Sequence, residues 1–368
     1  MNAQQALEWL PSFLVPFFTL SYPTSAPVDP DSFHHSAYYN TGLLDGCLII
    51  SCIAVMAVLR DLARIYLMEP FAKWKLTRDW ETSQLKLNSV GITNGNGVPN
   101  GSSTQNGLAP HANGEYPHLS VPPKDARRIH RSTLRFAEQG WSFIYYSIQF
   151  SHGLYIHHNL PTRALHPTDL WLNYPHIPLA GPLKFYYLTE TAFYFHQILI
   201  LNAEARRKDH VQMMMHHVIT IILMVASYFY NFTRVGCLIM VLMDCCDIFL
   251  PLAKMLRYIA LYSLCDVTFT IFLLSWFVTR HVLFIIVILS AWVDPIQLIN
   301  EQWAPERGNY FSELTHNAFV SLLVSLQIIQ AVWFWMICRI AYRVLSGQGA
   351  SDDRSDDEDG GGEEKKDR

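Results

Sequence analysis

The sequence predicts an all-α, polytopic membrane protein, and three observations carry that expectation. Of 368 residues, 51% are hydrophobic and only 16% charged, whereas soluble globular chains carry roughly a quarter charged residues. The apolar residues gather into runs of about 20, the length an α-helix needs to cross the hydrocarbon core of a bilayer. Basic residues then collect beside alternate ends of those runs, as they do in chains threaded through a membrane. About seven spans are expected, near 43–67, 136–158, 183–203, 211–230, 236–257, 262–288 and 319–345.

The elements follow in order. Residues 1–42 form an N-terminal segment ahead of the first span; Met1 to Leu10 carries no basic cluster, and Pro11 and Pro16 break the apolar stretch behind it, so no cleavable leader is expected. The span 43–67 runs into Arg60 and Asp61, which blur its end. Residues 68–129 are expected to be a flexible loop, because 81–125 are rich in Asn, Gly, Ser and Pro. The remaining six spans make one domain, 130–347, and the Gly- and Asp-rich tail 348–368 is expected to be disordered. That tail holds the chain's acidity: from Ser351 onward the net charge is −5, against −4 for the whole. Nothing in the body's charge pattern calls for a nucleic-acid partner. Three basic clusters, Arg206–Lys208, Lys254 with Arg257, and Arg339 with Arg343, fall on one side if the helices alternate. That side is expected to be cytosolic, with the N-terminus luminal and the C-terminus cytosolic. The sequon at Asn100 would then face the wrong compartment, and the one at Asn231 lies close to the membrane. The seven cysteines sit in apolar runs without metal-ligand or disulfide spacing, and read as small buried hydrophobes.

The chemistry is expected inside the membrane. Glu138, Glu190, His196, His216, His217, Asp244, Asp247, Asp266 and Arg280 all fall within spans, where ionisable side chains are costly and face a protein interior or a wet cavity. His216 and His217 lie six or seven residues past His210, roughly 10 Å deep, and Asp247 lies seven residues before Lys254, also roughly 10 Å deep. Antiparallel neighbours joined by the short turn at Asn231–Arg234 therefore bring histidines and aspartates to one level. Asp244 and Asp247, at i and i+3, share a helix face. A carboxylate bonded to one imidazole nitrogen fixes the tautomer and raises basicity at the other, giving a general base or a nucleophile. Two His and two Asp also make a zinc or iron set, but adjacent histidines diverge by about 100° on a helix, so no metal is expected.

The segment from His216 reads His-His-x-x-Thr220, then Ser227-Tyr228-x-x-Asn231-x-x-Arg234-x-Gly236, then Asp244-x-x-Asp247, with Lys254 and Tyr258 beyond. This resembles the longevity-assurance motif of ceramide synthases, acyl-CoA-dependent sphingoid-base N-acyltransferases of the TLC domain superfamily. Phe136-Ala-Glu138-x-x-Trp141, Lys184-Phe-Tyr186-Tyr187-Leu188 and Trp276-Phe277-x-Thr279-Arg280-His281 resemble flanking parts of the same domain. The low-complexity stretch near 70–130, standing where animal members carry a homeobox-like insert, together with the acidic tail, resembles the fungal branch.

The resemblance implies a six-helix bundle enclosing a polar-to-apolar channel, and an endoplasmic-reticulum enzyme. It would join a fatty acyl group from acyl-CoA, a co-substrate and not a cofactor, to the amine of dihydrosphingosine or phytosphingosine. His216, His217, Asp244 and Asp247 would be catalytic: the histidines as base and nucleophile, one by way of an acyl-imidazole, the aspartates orienting them. Which histidine takes which role is open from sequence. Tyr228, Asn231, Arg234, Lys254, Arg257, Tyr258, Glu190, Trp276 and Arg280 are candidates for substrate binding, the basic ones for CoA phosphates. A homo- or heterodimer with a paralogue and a small single-span accessory subunit are the partners such fungal relatives imply. Ser351 and Ser355, each followed by acidic residues, fit an acid-directed kinase, and Lys365-Lys366 resembles a dilysine retrieval signal. Two rival readings share the helices: a non-catalytic TLC-type protein that binds lipid or assists translocation, which has no need of the His/Asp set, and a proton-coupled transporter, which does not account for the motif.

Overall fold

The computed structural model describes residues 10–93, 121–163, 165–203, 209–299 and 303–346. A short helix, α1 (Val15–Phe18), opens an N-terminal strap that contains β1 (Pro23–Thr24) and β2 (Tyr38–Tyr39). Long helices follow: α2 (Asp45–Leu62), α3 (Glu69–Thr93), α4 (Pro123–Asn159), α5 (Gly181–Ala203), α6 (His210–Phe229), α7 (Thr233–Asp247), α8 (Phe249–Tyr258), α9 (Tyr262–Trp276), α10 (Phe284–Leu298) and α11 (Glu313–Leu345). They make an all-α, multi-pass membrane protein. Among the described residues five stretches are long and apolar enough to cross a bilayer: Asp45–Leu87, His210–Phe229, Thr233–Tyr258, Tyr262–Leu298 and Glu313–Arg343.

Helices α4 and α5 are less apolar, yet they belong to the same bundle. The reason is position. Most of α5 is covered by protein, with Lys184, Glu190 and His196 all buried beside Tyr186, Tyr187 and Phe193. A helix that faces neighbours instead of lipid can carry polar groups as long as they find partners. The centre of the main core is thus the face of α5 that meets α2, α4, α6 and α7.

Several boundaries depart from the expected ones. The first span does not end near residue 67: it runs through a π-helical stretch, Ala63–Met68, straight into α3. The expected flexible loop is therefore helical over 69–93 and again from Pro123, while 94–120 lie outside the described residues. The physical cause is that Glu69–Leu87 is built of good helix formers, and the Asn/Gly-rich composition begins only after it. Proline then starts α4, where its missing N–H costs nothing.

The fifth span is two helices. Pro251 has no N–H to offer the Asp247 carbonyl four residues back, and the rod breaks at Ile248. The sixth runs on to Leu298, with a π stretch, Phe277–Leu283, in its middle; such stretches are frequent at functional sites. The turn after α6 is a Schellman closure: Asn231 takes φ 62°, and Phe232 N–H donates to the Ser227 carbonyl at 2.8 Å. Asn231 also donates from Nδ2 to the Gly308 carbonyl at 2.8 Å, which ties this turn to the loop before α11. Gly236 lets α7 press onto α5, because a Cβ there would collide with the Tyr187 hydroxyl.

At the same end of the bundle the strap is stitched down. β2 pairs antiparallel with β1 and with β3 (Leu179–Ala180), which leads into α5. Below it, Lys184 makes a buried ion pair with Asp45 at 2.7 Å and donates to the carbonyls of Ser21 and Asn40.

Candidate active site

The histidine pair stands on α6, about two turns in from Asp209. The His216 ring is buried and turned inward; its centroid is 5.1 Å from that of Trp333 on α11 and 5.5 Å from that of His217, the latter at 86°. Tyr194 of α5 completes the group, 6.4 Å from His216 and 5.7 Å from His217 between centroids. His217 Nδ1 lies 2.7 Å from the Met213 carbonyl. A carbonyl can only accept, so Nδ1 bears the hydrogen and the neutral ring keeps its lone pair on Nε2. His216 Nδ1 is buried with no hydrogen-bond partner.

The aspartates reach this level, as the depth argument requires, but they do not bond the histidines. Asp247 pairs with Arg280 at 2.6 Å. The same guanidinium donates to the Met243 carbonyl at 2.8 Å and to Gln330 Oε1 at 3.0 Å, and its carbon lies 4.1 Å above the Trp276 ring. The π stretch lets Arg280 lie across α7 while α9 and α10 keep their packing. The expected role of the aspartates as hydrogen-bonding orienters is corrected: Asp247 is taken up by Arg280, and a backbone carbonyl holds His217. Asp244 is buried on α7, and Glu190 of α5 accepts from the Tyr145 hydroxyl at 3.3 Å. One oxygen of each acid, Asp244 Oδ2 and Glu190 Oε1, is buried without a partner.

From His216 an apolar cavity extends between α6, α7, α10 and α11. Tyr194, His216 and Met243 mark one end; Trp171, Ala291, Phe311 and His316 mark the other. Thr220, one turn from His216, lines the wall with a hydroxyl that has no partner. Polar at its head and greasy along its length, the space suits a single acyl chain whose carboxyl end meets His216.

The candidates drawn from sequence fall into three places. Glu190, Trp276 and Arg280 join the histidines and aspartates. Tyr228, Asn231 and Arg234 do not: Tyr228 is twelve residues from His216, roughly 18 Å along the helix, and its hydroxyl donates to Asp45 at 2.7 Å. Arg234 is ion-paired with Asp31 of the strap, and Asn231 shapes the turn. The structure thus gives these three tethering roles in place of the expected substrate contacts. Lys254, Arg257 and Tyr258 sit at the opposite, basic end, on α8. Ser351, Ser355, Lys365 and Lys366 lie outside the described residues. Sequence reading missed Tyr194, Gln330 and Trp333. Tyr194 had a signal, since it follows Glu190 at i+4 and so shares its face; Trp333 had none. Among the described residues no three His, Cys, Asp or Glu side chains gather as a metal-ligand set.

The fold and the site together define a multi-pass helical membrane protein with a buried histidine pair at the head of an apolar cavity. The chain belongs to the TLC domain family, whose model matches residues 135–339, more than half of the sequence. It is 36% identical over 255 residues to a ceramide synthase of Gibberella moniliformis, covering 61% of this chain and 59% of that protein. It is 38% identical over 231 residues to the sphingosine N-acyltransferase lag1 of Schizosaccharomyces pombe (62% and 59% covered). Ceramide synthase 4 of Bos taurus is 34% identical over 226 residues (61% and 54%). The chain spans about three fifths of the length of the curated relatives it matches.

Proposed function

We propose that this protein is a ceramide synthase, transferring a fatty acyl group from acyl-CoA to the amine of a sphingoid base within the endoplasmic-reticulum membrane. The observation that carries the reading is the placement of His216 at the head of the apolar cavity with His217 beside it. The names of the relatives support the substrate class. The basic end of the bundle, with Lys254 and Arg257, faces the cytosol in this reading, so that CoA stays in water while its acyl chain lies in the cavity.

The reaction divides between the two rings. A nitrogen of His216 attacks the thioester carbonyl; the N–C bond forms, the C–S bond breaks, and the thiolate leaves with the proton from the ring. The sphingoid amine is mostly protonated near neutral pH and is no nucleophile until it loses that proton. His217 Nε2 takes it, the amine attacks the acyl-imidazole, the amide forms and His216 is released. Arg280, held by Asp247, stabilises the oxyanion of each addition. Asp247 is thus a positioning residue here, and so is Met213 through its carbonyl.

The test is direct. Purified protein in detergent or nanodiscs receives sphinganine and a panel of acyl-CoAs, and ceramides are counted by mass spectrometry. Time-dependent N-acyl product is expected. Folded protein that binds lipid yet forms no amide with any acyl-CoA would instead be the lipid-binding relative.

A further inference from the structure

A threonine inside a helix can satisfy its hydroxyl on its own backbone, by donating to the carbonyl one turn back. Thr189, Thr191, Thr268, Thr270 and Thr279 each do so, at 2.8–2.9 Å from the carbonyl four residues earlier. Thr220, in the middle of α6, does not: its hydroxyl is buried and bonds nothing, the His216 carbonyl included. Leaving a hydroxyl without a partner away from water costs about 1–3 kcal/mol.

That unmet group stands at a particular place. Thr220 follows His216 by four residues, so the two share a face of α6 with Cβ atoms about 5–6 Å apart, and both line the acyl cavity. Further along the same walls the polar side chains are partnered. Ser227 bonds Tyr187 at 2.9 Å and the Met224 carbonyl at 3.0 Å. Trp171 donates to Ser290 at 2.9 Å, and His316 bonds the Ala291 carbonyl at 2.9 Å. At the histidine end, by contrast, Thr220 Oγ, His216 Nδ1 and Arg280 Nε are all buried without partners. Because no bond holds the Thr220 hydroxyl, rotation between the two χ1 wells of a helical threonine is enough to aim it.

We propose that Thr220 is a catalytic residue of the acyl transfer, its hydroxyl donating to the acyl oxygen while that oxygen is negatively charged. The inference rests on the proposed acyltransferase reading and adds to it a residue outside the His/Asp set. When a His216 nitrogen bonds the thioester carbon, the carbonyl electron pair moves onto oxygen, and it returns as the C–S bond breaks. The same oxygen is charged again when the sphingoid amine adds, and the pair returns as the bond to His216 breaks. Thr220 keeps its proton throughout and supplies a neutral donor alongside the Arg280 charge. An acyl carbon joined to His216 has its oxygen in the gap of about 5–6 Å between the two side chains, which one hydrogen bond spans. An oxyanion accepts more strongly than a neutral carbonyl, so the hydroxyl lowers the barrier more than it aids binding.

The test compares T220V, T220S and T270V with wild type, as full-length proteins in nanodiscs given sphinganine and acyl-CoA. Thr270, on α9, lies outside the cavity lining and serves as the control. Ceramide is counted by mass spectrometry, and CoA release without sphinganine is followed with a thiol reagent. T220V is expected to lower kcat roughly 10²-fold, as loss of one oxyanion donor does, with KM unchanged and CoA release slowed alike. Its thermal unfolding should be no lower than that of wild type, because valine removes a buried hydroxyl that has no partner. T220S keeps the hydroxyl and should restore most of the rate, and T270V should match wild type. Wild-type kcat in T220V, a rise in KM alone, or T220S as slow as T220V overturns the proposal and leaves the acyltransferase reading standing. Wild-type protein that makes no ceramide overturns both.

Discussion

Replacing Ala291 with leucine should shorten the acyl chain the protein accepts. Ala291 is buried on α10 and lines the end of the cavity away from His216. It lies eleven residues beyond Arg280, which stands at the level of the histidines, or roughly 16 Å along the helix axis. Leucine adds three carbons to a space that is open, so it fills volume without forcing neighbours apart. The Ala291 carbonyl, which accepts from His316 Nε2 at 2.9 Å, is untouched. A chain that reached the end must withdraw about three methylenes, each worth about 0.8 kcal/mol when buried. The loss is about 2.4 kcal/mol, or roughly fifty-fold in kcat/KM against the longest accepted acyl-CoA. Chains that stop short of the end should be unaffected. The assay is internal competition: an equimolar mixture of acyl-CoAs with sphinganine, products resolved by mass, and the profile compared between A291L and wild type. An unchanged profile from folded A291L would remove the acyl chain from this cavity.

Further outcomes follow from the buried charges. Asp247→Asn leaves Arg280 charged, buried and without its counter-ion, and should lower stability by about 3–5 kcal/mol; D247N/R280M should recover much of it. Scanning fluorimetry in detergent reads both, and a D247N protein as stable as wild type would contradict the positioning role. Lys184→Met should cost a similar amount by stranding Asp45, with D45N/K184M again partly restored in the same measurement. His176, in the loop before β3, has its ring pushed down to about 4 by burial and by Arg234 nearby. The unfolded ring titrates near 6.5, so the unfolded chain binds more protons between these values. Its contribution is therefore complete above pH 6.5 and is lost as pH falls toward 4, by up to about 3 kcal/mol. His176→Gln should flatten that part of the stability-pH curve, and an unaltered slope would show that the ring is not responsible.

The spans and the level of the site were legible because apolar run length and helical rise are local quantities. His216, His217, Asp244 and Asp247 could be brought together by counting residues from Lys254 and His210. Partner choice was not legible. Whether Asp247 met His217 or Arg280 depends on a π stretch in another helix, and no residue count shows where i→i+5 bonds will form. Tyr228 and Arg234 look like site residues because they share a segment with the histidines. Their true partners, Asp45 at the start of α2 and Asp31 in the strap, lie some 200 positions away. The helix over 69–93 was missed for a different reason: Asn/Gly composition further along coloured the reading of a stretch that is itself helix-forming. Buried Lys184 marks the limit of hydropathy, which scores a charge inside α5 as a fault and cannot see the carbonyls waiting for it.

The central claim is that His216 and His217 perform the acyl transfer, and it is tested by replacing each with alanine. H216A and H217A, shown by scanning fluorimetry to fold as wild type does, would be given sphinganine and the preferred acyl-CoA, with ceramide measured by mass spectrometry. The account predicts that each loses roughly 10²- to 10⁴-fold in rate, and that a labelled acyl group trapped on wild-type protein maps to His216. Folded variants that make ceramide at the wild-type rate would contradict it.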